Sequence, residues 1–120
     1  MARRIDPAQG LAAVRAWRLG ETGRSVLATA VRFTLQDLES DHPGHAVEVR
    51  VPPFGAVQCM PGVRHRRGTP PAVVEMAPET WLRLVTGRVS WEEAVADGRV
   101  QASGIRSDLG WALPLAGLRG

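Results

Sequence analysis

Val47-Glu48-Val49-Arg50-Val51 alternates apolar and charged side chains, and a period of two commits this stretch to a strand with one dry face and one wet face. The strand is expected over Ala46 to Val51. Pro52-Pro53-Phe54-Gly55 makes a stiff link, Ala56 to Met60 reads as the returning strand, and so short a link makes the pair antiparallel. A long loop from Met60 to Pro71 follows, with three Pro and two Gly. Ala72-Val73-Val74-Glu75-Met76 is a third strand, and Arg99 to Ser103 a short fourth.

The remaining segments carry helix signals. Asp6-Pro7-Ala8-Gln9 combines a capping Asp, Pro at the first helical position and Gln three residues after the cap, so a helix runs to about Arg18. From about Thr22, Leu27, Val31, Thr34, Leu35 and Leu38 recur at helical spacing, which gives a longer second helix facing a core. Asp37, Glu39 and Asp41 crowd its C-terminal end against the helix dipole, so fraying before Asp41 is expected. Pro78 to Thr86 is a third helix ended by Gly87, and Ser90 to Glu93 is a capping box for a fourth that Gly98 ends. Ser107 or Asp108 caps a final helix that Pro114 ends or bends. The order α, α, β, β, β, α, α, β, α predicts an α+β domain, a mostly antiparallel sheet of four strands covered by helices, spanning residues 1–120.

Composition narrows the function. All fifteen basic residues are Arg, and Lys and Tyr are both absent. The isoelectric point near 10.9 therefore overstates the basic character, because nothing titrates near pH 10 to remove a net charge of only +3. The absence of Lys excludes a Schiff base, a pyridoxal phosphate anchor and a P-loop. No nucleophile elbow, H-E-x-x-H, paired C-x-x-C or Gly-rich nucleotide fingerprint occurs. No cofactor and no catalytic apparatus are expected. Cys59 is the single cysteine and cannot form an internal bridge, no apolar run approaches the ~20 residues of a membrane span, and Met1 to Pro7 has no apolar export stretch. The chain reads as cytoplasmic.

Three polar constellations remain. Asp41, His42 and His45 could hold a metal with Cys59 or His65, but the intervening Pro43-Gly44 reads as a polar turn, so no metal site is expected. Cys59 with His65 could form a thiolate and imidazole pair; a lone Cys in a strand is more often an inert small hydrophobe. Arg64, Arg66 and Arg67 surround His65 in the one basic cluster, where guanidinium groups could grip phosphate or carboxylate. That cluster is the only basis for nucleic-acid binding, which is the weakest of three readings. Trp17, Trp81, Trp91 and Trp111 all fall on expected helices, and four indoles either pack a core or line a cavity.

From Val73 onward the order of elements resembles the sterol carrier protein family. The resemblance is carried by Val73-Val74-Glu75-Met76, Pro78 to Gly87, Trp91-Glu92-Glu93-Ala94, Asp97-Gly98-Arg99-Val100 and Ser103-Gly104, and is strongest over Val73 to Leu115. Pro52 to Cys59 and Arg67-Gly68-Thr69-Pro70-Pro71 are closer still to short, stand-alone actinobacterial homologues of that family. The resemblance implies a twisted, mostly antiparallel sheet of about five strands with helices on one face and an apolar tunnel between. Members bind or carry lipids, and the same fold serves as an accessory module beside enzymes such as mycothiol-dependent maleylpyruvate isomerase.

The expected ligand is thus an apolar or lipid-like molecule, held by a wall of Leu27, Val31, Trp81, Leu84, Trp91, Trp111 and Leu113. The alternative is an accessory module acting through a protein partner, for which Pro52-Pro53 and Pro70-Pro71 would stiffen exposed loops.

Overall fold

A computed structural model describes residues 4–62, 71–103 and 108–118. The Arg64, Arg66 and Arg67 cluster, His65 and Ser107 lie outside the described residues. Helix α1 covers Pro7–Arg18, and the Asp6 carboxylate accepts the Gln9 amide N–H at 3.3 Å, which satisfies one of the helix's unpaired donors. Helix α2 covers Arg24–Asp41, strand β1 Val47–Val51, β2 Gly55–Cys59 and β3 Ala72–Met76. Helix α3 follows at Pro78–Val85, α4 at Trp91–Ala96 and β4 at Val100–Ser103.

The four strands lie in the order β2-β1-β3-β4. β1 pairs with β2 and β3 with β4 antiparallel, whereas β1 and β3 run parallel with Val49 opposite Val74. The parallel pair joins the two hairpin-like halves into one mixed sheet. Alternation decides which face is dry: Val47, Val49 and Val51 are buried, while Arg50 points outward and Glu48 is half-buried. The outer face is polar, since Glu48 bonds Arg50, Gln58 reaches Glu48 at 3.4 Å, and His45 meets Gln58 at 2.9 Å. The sheet is therefore covered by helices on one face.

Between the layers, Val31, Leu35, Leu38, Val49, Val74, Trp81 and Leu82 are at most 1% exposed. Inside this core the Trp81 indole N–H donates to Thr34 Oγ1 at 2.8 Å, and the Thr34 hydroxyl in turn donates to the Ala30 carbonyl at 2.7 Å. Among the described residues no buried side-chain N or O lacks a partner. Helix α1 caps the helical layer from outside. Gly10 faces the Phe33 ring, Trp17 Nε1–H donates to Glu79 Oε2 at 2.9 Å, and the Arg88 guanidinium lies 4.9 Å from the Trp17 ring centre.

Two sequence expectations need correction. α2 does not fray before Asp41; it runs through Asp41, and the His42 N–H bonds the Leu38 carbonyl at 2.9 Å. An unfavourable charge at a helix end costs about 0.3–1 kcal/mol, whereas burying Leu38 contributes about 1.5–3 kcal/mol, so packing wins. Arg4 also bonds Ser40 in that last turn. Burial and the Asp41 charge raise the Asp37 pKa, and Arg4 opposes the rise.

The final helix is likewise not an α-helix but two short 3₁₀ turns, Gly110–Ala112 and Ala116–Leu118. Gly110 and Pro114 deny this segment a helical run, and its burial comes instead from Leu109, Leu115 and Leu118, at 0%, 1% and 5% exposure. The Leu115 N–H donates to the Val85 carbonyl at 3.1 Å, which pins the segment to the end of α3.

Candidate functional site

The end of the sheet where β1 begins and β2 finishes is shaped by one close backbone approach. Gly44 has a φ of +149°, and a Cβ there would lie 2.0 Å from the Met60 carbonyl oxygen. Only glycine fits. The Met60 N–H donates to the His42 carbonyl at 2.7 Å, and the Ala46 N–H donates to the Met60 carbonyl at 3.2 Å. These bonds hold Met60 at a left-handed φ of 71°, a conformation that costs about 1–2 kcal/mol in a side-chain-bearing residue.

At this end, Ala46, Val47, Met60, Pro61, Asp108 and Trp111 line a cleft of about 260 Å³. Its floor is apolar. Trp111 is 64% exposed, and the His42 ring lies nearly perpendicular to its indole, with centroids 4.9 Å apart and planes at 83°. The Asp108 carboxylate accepts the Gly110 N–H at 2.7 Å, so the residue that the sequence offered as a helix cap caps a tight turn. A Cβ on Gly110 would lie 3.2 Å from Cδ1 of Trp91, which shows how closely that turn sits on the buried indole below it. A second cleft, of about 290 Å³, lies between the start of α1 and α2 and is lined by Arg4, Ile5, Asp6, Pro7, Phe33, Gln36 and Asp37.

The seven residues expected to form one wall are divided by the fold. Val31, Trp81 and Leu84 are at most 1% exposed and Trp91 is 9% exposed, all within the core. Leu27 and Leu113 are partly buried and packed against it. Trp111 is the one member of the seven that lines either cleft. Spacing along the chain missed Ala46, Val47, Met60 and Pro61, because they come together only through the Gly44 turn and the pairing of β1 with β2.

The polar constellations resolve differently from one another. His42 contacts Trp111 and His45 contacts Gln58, so the two imidazoles serve separate neighbours. Among the described residues no group of three or more His, Cys, Asp or Glu is placed to hold a metal. Cys59 is fully buried, and burial, with a smaller contribution from the Glu39 charge, pushes its thiol pKa up to about 11. A thiol held in that state is not a nucleophile at neutral pH. On the outer face, the bond from Arg50 lowers the Glu48 pKa.

No helix among the described residues is long and apolar enough to cross a membrane. A family model described as a bacterial SCP ortholog matches residues 23–115. The match takes in α2 through the first 3₁₀ turn and leaves α1 outside it. No curated protein matches the chain.

Proposed function

The chain belongs to the sterol carrier protein family as a bacterial SCP ortholog, and from that premise we propose that it binds and carries an apolar, lipid-like ligand without catalysing a reaction. The observation that carries this reading is Trp111, 64% exposed beside a floor of Ala46, Val47, Met60 and Pro61. An indole left in water over apolar side chains loses contact area that a ligand would restore. Within this reading Trp111 touches the ligand, while Leu27, Val31, Trp81, Leu84, Trp91 and Leu113 build the frame behind it. The raised pKa of the buried Cys59 thiol agrees with a carrier rather than a cysteine-dependent enzyme, and a cytoplasmic setting is part of this reading. Native mass spectrometry and solvent extraction of freshly purified protein test the proposal. A stoichiometric lipid-like adduct supports it; protein that arrives empty and takes up no acyl or sterol probe refutes it.

A second reading, an accessory module acting through a protein partner, is favoured by α1. That helix precedes the family match and exposes Leu11 at 43%, with Leu19 just past its end at 81%, next to Arg15 and Arg18. Reproducible capture of one partner that is lost in Leu11→Ser/Leu19→Ser protein would favour this reading over the first.

A further inference from the structure

The cleft beneath Trp111 has one feature that an apolar floor does not require. Asp108 belongs to the same lining as Trp111, around a space of about 260 Å³. The Asp108 Oδ1 accepts the Gly110 N–H at 2.7 Å, so the charge is tied to the backbone that carries Trp111. The His42 ring, perpendicular to the indole with centroids 4.9 Å apart, contacts it yet leaves Trp111 64% exposed.

Carboxylate and indole attract the same kind of group. The face of an indole carries the negative end of its quadrupole, and a carboxylate carries a full negative charge, so both favour a cation. A quaternary ammonium needs no hydrogen-bond acceptors and wears an apolar shell, which suits a lining otherwise made of Ala46, Val47, Met60 and Pro61. The volume falls below the range of drug-sized sites and suits a headgroup with the first carbons of a chain.

We infer that this cleft is the headgroup site for a cationic amphiphile, a quaternary ammonium or amine bearing an alkyl chain, with the cation at Asp108 and Trp111 and the chain beginning on Val47 and Met60. The inference rests on the carrier reading and names the class of its ligand. The net charge of +3 works the other way, because the field of the whole chain favours anions; selection of a cation has to come from a local site.

The test uses three probes of equal chain length below their micelle concentrations: decyltrimethylammonium, decyl maltoside and decyl sulfate, titrated calorimetrically at low salt. The cation binds about tenfold more tightly than the maltoside, and the sulfate binds weakest. Asp108→Asn, whose amide oxygen still accepts the Gly110 N–H, removes the cation's advantage while leaving maltoside affinity unchanged. Trp111→Leu lowers affinity for the cation by a similar factor, and circular dichroism verifies that both variants are folded. Equal binding of cation and maltoside, or a preference that survives Asp108→Asn, overturns the headgroup inference alone, because maltoside binding reports the carrier function separately. If no probe binds although a lipid co-purifies, the headgroup inference again falls alone. If no probe binds and no lipid co-purifies, both fall.

Discussion

Trp81 and Thr34, from α3 and α2, meet in the interior, with the indole N–H donating to the threonine hydroxyl at 2.8 Å and both residues at 0% exposure. Thr34→Val keeps the shape and deletes the acceptor, leaving a buried indole N–H unpaired. The expected cost is about 1–3 kcal/mol in urea unfolding. A loss under 0.5 kcal/mol, about the spread of neutral surface changes, would mean that Trp81 has another partner.

Gly10 marks where α1 docks. A Cβ there would lie 2.1 Å from Cγ of Phe33, so Gly10→Ala should destabilise by about 1–3 kcal/mol through overpacking. On an open helix surface the same change would stabilise by about 1 kcal/mol, so the sign of the effect distinguishes a docked α1 from a loose one. Phe33→Ala added to Gly10→Ala should recover part of the loss.

The cap of α4 gives a third expectation. The Glu93 N–H donates to Ser90 Oγ at 3.1 Å, and the same hydroxyl donates to Glu93 Oε1 at 3.1 Å. Here the Glu93 carboxylate returns its bond to the hydroxyl, where the usual box would engage the Ser90 backbone N–H. Ser90→Ala removes both contacts and should cost about 1 kcal/mol, read as a lower thermal midpoint.

Cys59 makes stability depend on pH in a known direction. Its folded pKa of about 11 lies above the ordinary value of 9.0, so the folded state holds the thiol proton after the unfolded chain has released it. That contribution is complete below about pH 9 and is lost as pH rises towards 11. With neither Lys nor Tyr in the chain, no other side chain titrates in that window. Unfolding free energy should fall between pH 9 and 11, and the slope should vanish in Cys59→Ala. Thiol labelling at pH 8 should proceed only as the protein unfolds.

The sequence showed its helices wherever capping chemistry is local. Asp6 with Pro7, Ser90 with Glu93, and Gly87 and Gly98 at positive φ all marked boundaries that the fold uses. Val47 to Val51 likewise announced its dry face through alternation. Strand neighbours were not visible: a period of two says which face is buried but not that β1 lies parallel to β3. The exposure of Trp111 was hidden for a related reason. A three-residue 3₁₀ turn is too short to show periodicity, and the cleft's floor joins Ala46 and Val47 to Met60 and Pro61 across a turn set by Gly44. The end of α2 was misjudged because the charges there are visible in sequence and the burial of Leu38 is not.

The central claim, an apolar ligand held against Trp111, is tested most directly by the ¹⁵N-labelled indole resonances of the four tryptophans during titration with decyl maltoside, using Trp111→Phe to assign the site. The Trp111 signal should move and saturate. Trp91, buried under Gly110, should move less, and Trp81, bonded to Thr34 in the closed core, should stay in place. No saturable shift at Trp111, or equal shifts at all four indoles, would contradict the account.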